Sequence, residues 1–226
     1  IESGGLAFVW GFNSSNKMTA PRLLHNSQVG NVCTVETPEG GNVGLRKALS
    51  ILAHITFGLK TEPVMNFLNK YGLITTQDLT PNDLITKCKI LVNGTIVGVH
   101  TNPSILVEYF RLWRRNGLIN IFTSITWDII NKEIVILTDN GRLIKPFYII
   151  ENNEFLIQSK HIKDINQKKL NFTDLLIGFN NRKEDYDYYM NEPLSLQDIG
   201  ISEKTDSVVD LLRENQGVIE YLDTKE

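Results

Sequence analysis

Residues 21–50 decide how the whole chain is interpreted, and they read P-R-L-L-H-N-S-Q-V-G-N-V-C-T-V-E-T-P-E-G-G-N-V-G-L-R-K-A-L-S. Their centre is the segment E-T-P-E-G-G at residues 36–41. Pro38 restricts its own φ angle and biases Thr37 towards extended backbone. The glycines that follow permit angles that residues with a Cβ resist. This segment suits neither a helix nor a strand, so the sequence predicts a shaped loop of the kind that often carries function on a rigid scaffold.

A Pro-Glu-Gly turn that caps a helix is a common structural feature, and for the loop alone this structural interpretation stays open. The neighbouring residues carry more information. Four motifs follow one another between residues 21 and 50, namely P-R-x-L-H-N, G-x-V-C, E-T-P-E-G and G-L-x-K-x-L-S. Together they resemble the second-largest subunit of multisubunit DNA-directed RNA polymerases, the counterpart of the bacterial β subunit.

The resemblance continues in V-N-G-x-x-x-G-V-H at 92–100, T-D-N-G-R-L-x-x-P at 138–146 and G-x-x-E-Y-x-D at 217–223. It implies an α+β fold, a fragment of that subunit built from several small mixed helix and hairpin domains. The implied parts are a fork-domain portion with the E-T-P-E-G loop (1–57), external domain 1 (58–122) and external domain 2 (123–226). We therefore expect an internal fragment of a longer polypeptide.

The resemblance also implies where nucleic acid would lie. The E-T-P-E-G loop is expected to line the active-centre cavity beside the RNA–DNA hybrid. Basic and amide side chains are the usual ligands of phosphate and sugar, and the candidates for contact with the hybrid backbone are Arg22, Asn26, Gln28 and Lys47. Glu36 and Glu39 would be repelled by phosphate, so we expect them to orient basic residues outside this chain or ribose hydroxyls. The family often has an aromatic or histidine-containing pair before the glycine, so the departure Gln28-Val29-Gly30 leaves the fine role of Gln28 open.

Catalytic residues are not expected in this chain. The four histidines are scattered, and the sequence contains no H-E-x-x-H, G-x-S-x-G or Walker-type motif. Polymerases use metal ions held by carboxylates, which the resemblance places on the largest subunit. It therefore implies Mg²⁺ in the whole enzyme, held outside this chain, and a nucleotidyltransferase of which the isolated fragment is inactive.

The implied partners are the largest polymerase subunit, other polymerase subunits, the DNA template and the RNA–DNA hybrid. The implied location is intracellular, in the nucleus for a cellular protein, or in the host cytoplasm or virion for one from a large DNA virus. The sequence contains no apolar run long enough to cross a membrane.

The bulk composition narrows the alternatives. The chain has 226 residues, of which 42% are hydrophobic and 22% charged, as in an ordinary globular protein. A net charge of −3 argues against a free-standing nonspecific nucleic-acid binder, which usually has a basic surplus. Two cysteines are too few for a disulfide framework or a zinc site.

Hydrophobic periodicity predicts the main elements. Helices are predicted over 43–57, with Asn42 as N-cap, over 63–71, from Asn102-Pro103 to Gly117, and over 207–214. Hairpins are predicted around Asn93-Gly94 and, between residues 133 and 150, around Asp139-Asn140-Gly141. A short strand is predicted from the alternation of Phe8, Trp10 and Phe12, and another over 217–223. The segment 184–189 is acidic and rich in tyrosine.

Three arginines of the predicted helix at 103–116 form a basic patch, namely Arg111, Arg114 and Arg115. A solvated helix face is the simpler interpretation, and contact with nucleic acid or a neighbouring subunit is the alternative. This face also defines a rival hypothesis for the whole chain, a free-standing, non-catalytic interaction module that binds a protein partner.

Overall fold

A computed structural model describes residues 6–7, 19–178, 193–199, 201 and 208–226. The predicted strand at Phe8–Phe12 and the acidic segment 184–189 lie outside the described residues. The described strands are β1 Leu6–Ala7, β2 Arg46–Lys47, β3 His54–Ile55, β4 Ile74–Thr75, β5 Cys88–Val92, β6 Thr95–His100, β7 Ser124–Asp128, β8 Glu133–Leu137, β9 Leu143–Tyr148, β10 Ile150–Glu151, β11 Glu154–Phe155 and β12 Ile219–Asp223. The described α-helices are α1 Glu62–Lys70, α2 Pro81–Thr86, α3 Pro103–Arg115, α4 Ser159–Asn166, α5 Phe172–Ile177 and α6 Val208–Asn215.

A five-stranded sheet has the strand order β4-β6-β5-β8-β7. The predicted hairpin of β5 and β6 is confirmed, and its turn residues Asn93 and Gly94 both have positive φ, as a type I′ turn requires. β5 runs parallel to β8, and α3 lies in the connection between them, because parallel neighbours need a long crossover. The predicted α1 and α3 are confirmed, and both contribute to the core of this sheet. That core contains Val64, Phe67, Leu68, Cys88, Ile90, Val92, Leu106, Val107, Phe110, Ile119, Ile125, Ile134 and Ile136.

A second, three-stranded sheet has the order β12-β9-β3, and the predicted α6 and β12 are confirmed. A separate core forms around it and includes Ile144, Leu175, Leu176, Ile177, Leu212, Val218 and Tyr221. Trp113 of α3 packs against both cores. The α+β class is thus confirmed. β3 pairs with β9 and β5 with β8, so these two larger sheets each combine strands from two of the parts 1–57, 58–122 and 123–226. The division into these parts stays a prediction.

The predicted hairpin over 133–150 is wrong. β8 pairs with β5 and β7, whereas β9 pairs with β12 and β3. The connection between them crosses from one sheet to the other and is held by Thr56, whose N–H donates to the Arg142 carbonyl over 2.9 Å and whose carbonyl accepts from the Gly141 N–H over 2.9 Å. Turn-forming residues allow a chain reversal, but burial of Ile144 in the second core decides which sheet β9 joins.

The predicted helix over 43–57 is also wrong. These residues form β2, a bridge between Leu49 and Val32, and β3. Gly44 has φ +74°, which an α-helix excludes. The strand partners of this segment are remote in sequence, so a local hydrophobic pattern could not reveal them. Lys47 therefore lies on a strand and not in the first turns of a helix.

Candidate nucleic-acid interface

The E-T-P-E-G segment is a loop closed by one hydroxyl group. The Thr37 Oγ1 accepts a hydrogen bond of 2.8 Å from the Gly44 N–H and donates one of 3.1 Å to the Arg46 carbonyl. Residues 40–42 form a single 3₁₀ turn after Glu39, whose backbone is extended. The predicted shaped loop is thus confirmed, and its geometry depends on contacts between residues 37 and 46.

Arg22 braces this loop from the preceding segment. Its Nη1 donates to the Gly41 carbonyl over 2.7 Å and to the Val43 carbonyl over 2.9 Å. The backbones also approach closely, because a Cβ added to Gly44 would lie 2.3 Å from the Arg22 carbonyl oxygen. Arg22 therefore has a structural role at the base of the loop, whatever else its guanidinium contacts.

Asn26 and Gln28 lie on a 3₁₀ turn just before the loop. The Nδ1 of His25 accepts a 3.2 Å hydrogen bond from the Ser27 N–H and so caps this turn. The Gln28 carbonyl accepts hydrogen bonds from two downstream N–H groups, over 3.0 and 2.8 Å. The side-chain amides of Asn26 and Gln28 make no hydrogen bond within the described part of the chain, so they can bind an external group.

The charged candidate residues differ in their exposure to solvent. Lys47 lies on β2 and is half-buried, whereas Glu36 and Glu39 are exposed. Neither carboxylate forms an ion pair or a hydrogen bond with any of the described residues. The structure thus brings Arg22 against the loop and places Lys47 next to its closing residue Arg46, but it does not join either glutamate to these cations.

The sequence interpretation missed a set of exposed apolar side chains that flank this loop in sequence, which we call the fork surface. Its members retain between 44% and 97% of their accessible area, and they are Leu23, Leu24, Val29, Val35, Val43, Ile51, Leu52 and Ile55. Large exposed apolar patches mark interaction sites. The sequence signal for this surface was the abundance of aliphatic residues in a segment whose apolar residues follow neither the helical nor the strand repeat.

The basic patch predicted on α3 is wrong for two of its three arginines. Arg114 is fully buried and donates to both carboxylate oxygens of Glu226 over 2.8 Å and to Glu220 over 3.0 Å. Arg115 binds the Glu220 carboxylate in a bidentate manner over 3.0 and 2.9 Å. These arginines therefore attach α3 to β12 and the residues after it instead of facing solvent. One sequence signal was available, because Arg114 falls at helical spacing from the apolar Val107 and Phe110.

Ionisation of this cluster follows from the balance between burial and pairing. Burial opposes charge on Arg114, but the carboxylates of Glu226 and Glu220 more than offset it, so the Arg114 pKa lies above its ordinary value. Burial likewise opposes charge on Glu220, and the two arginines overcome it and lower the Glu220 pKa to about 2. Arg114 and Glu220 are therefore both charged at neutral pH.

Two remaining properties of the described residues bear on function. No group of three histidine, cysteine or carboxylate side chains among them is arranged to hold a metal ion. None of the helices in the described ranges is long and apolar enough to cross a bilayer.

Comparison with known proteins bears on the family of the chain. The family model described as RNA polymerase Rpb2, domain 3, matches residues 9–55, which include the loop, and the one described as RNA polymerase Rpb2, domain 4, matches residues 90–151. These matches place the chain in the class of multisubunit DNA-directed RNA polymerases.

The similar proteins identify the subunit. The chain is 39% identical over 153 residues to DNA-directed RNA polymerase II subunit 2 of Arabidopsis thaliana, covering 68% of this chain and 13% of that protein. It is 32% identical over 210 residues to DNA-directed RNA polymerase II subunit RPB2 of Eremothecium gossypii, covering 93% of this chain and 16% of that protein. It is 35% identical over 167 residues to DNA-directed RNA polymerase III subunit RPC2 of Schizosaccharomyces pombe, covering 73% of this chain and 14% of that protein.

The chain therefore belongs to the family of second-largest subunits of DNA-directed RNA polymerases, as its motifs indicated. It spans only 13% to 16% of the length of these relatives.

Proposed function

We propose that this chain is a structural, nucleic-acid-positioning part of a DNA-directed RNA polymerase, a nucleotidyltransferase that makes RNA from nucleoside triphosphates on a DNA template. In the complete enzyme the E-T-P-E-G loop would line the active-centre cavity beside the RNA–DNA hybrid. The observation that carries this proposal is a loop braced by Thr37 and Arg22 that holds Glu36 and Glu39 exposed and unpaired within the described residues. Such a loop presents fixed groups without reorganising.

Different side chains of the site suit different parts of the hybrid. The amides of Asn26 and Gln28 and the ammonium group of Lys47 suit phosphate and sugar oxygens. The Nη1 of Arg22 already donates to two loop carbonyls, so its other guanidinium N–H groups are the ones it can offer to the hybrid. The carboxylates of Glu36 and Glu39 suit basic protein groups outside this chain or ribose hydroxyls, since a carboxylate accepts hydrogen bonds and repels phosphate.

We propose that the Mg²⁺ ions of the polymerisation reaction are held by residues outside this chain, because no described cluster offers a suitable ligand set. The ions would supply the activation of the attacking oxygen and of the leaving phosphate. The isolated chain would therefore be inactive, and its contribution to synthesis would be the positioning of the hybrid.

The partners follow from the same proposal. They are the largest subunit, other polymerase subunits, the DNA template and the RNA–DNA hybrid. The relatives are subunits of RNA polymerases II and III from cellular organisms, which supports a nuclear location. They do not support the viral source that the sequence left open. The rival hypothesis of a free-standing interaction module is not favoured, because the relatives are polymerase subunits and Arg114 and Arg115 are engaged internally.

Glu36→Ala and Glu39→Ala in the complete polymerase test this proposal. We expect each to slow elongation by about 10- to 100-fold, since a hydrogen bond to a charged group contributes on the order of 1.5 to 3 kcal/mol. Subunit assembly should survive, because both side chains are exposed and unpaired within the described residues. The measurement is the rate of transcript extension on a preassembled template, with the exposed Glu62→Ala on α1 as the matched control. Normal extension by both variants would refute the proposal.

A further inference from the structure

An open cleft of about 270 Å³ lies beside α3, far along the chain from the E-T-P-E-G loop. Val107 and Leu112 of α3 and Trp127 of β7 contribute its apolar lining. Trp127 is half-buried, and its indole N–H has no hydrogen-bond partner in the described part of the chain. An aliphatic and aromatic lining of this size suits one apolar side chain of a ligand.

Arg111 stands at this cleft with unused hydrogen-bonding capacity. Its side chain is 42% exposed, and its nearest carboxylate is that of Glu226, 3.7 Å from Nε and thus beyond hydrogen-bond distance. That carboxylate already accepts two hydrogen bonds from Arg114. The guanidinium of Arg111 therefore makes no hydrogen bond within the described ranges, although its planar fork of donors matches a carboxylate or a phosphate.

The other charged residues of the cleft distinguish a carboxylate ligand from the phosphates of a nucleic acid. Arg213 is paired with Glu108 over 2.6 Å, and Arg115 lies 3.6 Å from Glu151. Three arginines and two glutamates line the cleft, which leaves a formal charge of +1. A nucleic-acid strand needs a continuous positive track for successive phosphates, and here it would meet both glutamates. A single carboxylate needs only one free cation, and Arg111 can supply it, because Glu108 is paired with Arg213 and Glu151 lies beside Arg115.

We propose that this cleft binds an acidic peptide segment from outside the chain, in the assembled polymerase. One carboxylate of the segment accepts hydrogen bonds from the Arg111 guanidinium. A neighbouring apolar side chain packs on Trp127 and Val107. This protein-docking site is separate from the loop, and it does not depend on contact between the loop and the hybrid.

Site-specific photocrosslinking in the complete polymerase tests the proposal. Ser104 lines the cleft and is exposed, so a p-benzoylphenylalanine placed there should crosslink to whatever occupies the cleft. Mass spectrometry of the product should identify a polypeptide segment with Asp or Glu beside apolar residues. Arg111→Gln should lower the crosslink yield about tenfold, as expected for loss of a charge-assisted hydrogen bond, and Arg111→Lys should lower it less.

The control for charge is Lys163→Gln on α4, which removes an exposed cation that does not line the cleft and should leave the yield unchanged. A crosslink to nucleic acid, a crosslink to a segment without acidic residues, or the absence of any crosslink would each overturn the proposal. So would an Arg111→Gln yield equal to that of Lys163→Gln. Crosslink mapping without a substitution at Arg111 identifies the occupant directly, so the test does not depend on how that variant folds.

Discussion

At the scale of single residues, Gly44 explains why the E-T-P-E-G segment is followed by a turn and not by a helix. Its φ of +74° and its contact with the Arg22 backbone leave no room for a side chain. The Thr37 hydroxyl then completes the loop by bonding on either side of Leu45, to the Gly44 N–H and the Arg46 carbonyl. The shape of the loop thus depends on Arg22, Thr37 and Gly44, which lie up to 22 positions apart in the sequence.

Gly44→Ala should disrupt this loop. An added Cβ would lie 2.3 Å from the Arg22 carbonyl oxygen, a backbone atom that cannot rotate away. The positive φ adds a backbone cost on the order of 1 to 3 kcal/mol. We expect faster amide exchange over residues 36–47 in the assembled polymerase, together with slower elongation. Gly58→Ala is the matched control, because a Cβ added there would meet no atom of the described chain within 4 Å; equal exchange in the two variants would contradict the assignment.

At the scale of elements, α3 connects the two sheets. Phe110 packs in the core of the five-stranded sheet, Trp113 contacts both cores, and Arg114 binds the strand and carboxylates beside the other sheet. Breaking a buried ion pair by removing one partner leaves an uncompensated charge, which costs much more than the pair contributes. The arginines on α3 are therefore structural parts of the fold, with Arg111 as the exception at the cleft.

Arg114→Met should loosen this connection. The substitution approximately preserves side-chain length, but it leaves Glu226 buried without its hydrogen-bonded arginine and removes one of the two arginines bound to Glu220, at a cost on the order of 3 kcal/mol. Amide exchange in the assembled polymerase should accelerate in both α3 and β12. Arg111→Met, on the same helix but without a hydrogen bond among the described residues, serves as the control and should change exchange little. Similar protection in both variants would argue against the structural role of Arg114.

At the scale of the whole molecule, the fork surface consists of exposed apolar side chains on the segment that carries the candidate site. Its residues include Ile51, which is 97% exposed, and Val35, which is 84% exposed. In the proposed complete enzyme this surface would lie against further protein. The isolated chain would expose it to water, where apolar area drives association at roughly 25 cal/mol per Å² buried.

The isolated chain should therefore self-associate, and Ile51→Lys should reduce that association. The exposed position of Ile51 makes loss of folding stability small. Sedimentation velocity over a concentration series measures the association. Asn140→Lys introduces the same charge at an exposed polar position and should have little effect. A monodisperse monomer at all concentrations would contradict the interpretation of the fork surface.

Much of the fold was accessible from the sequence alone. Asn93-Gly94 predicted the hairpin because a type I′ turn demands residues that tolerate positive φ, and α1 and α3 followed from apolar residues at helical spacing. The motifs between residues 21 and 50 indicated the polymerase subunit family that the comparisons confirmed. These features depend on local chemistry, so a local pattern contains them.

Only the tertiary structure decided the rest. It assigned β9 to a different sheet from β8, replaced the helix predicted over 43–57 by short strands, and turned Arg114 and Arg115 inward onto Glu220. The partners in each case lie far apart in sequence, with more than 100 residues between Arg114 and Glu220. Strand pairing and buried ion pairs are contacts between remote segments, whereas turn chemistry and helical periodicity are properties of neighbours, which is why only the latter could be determined from the sequence itself.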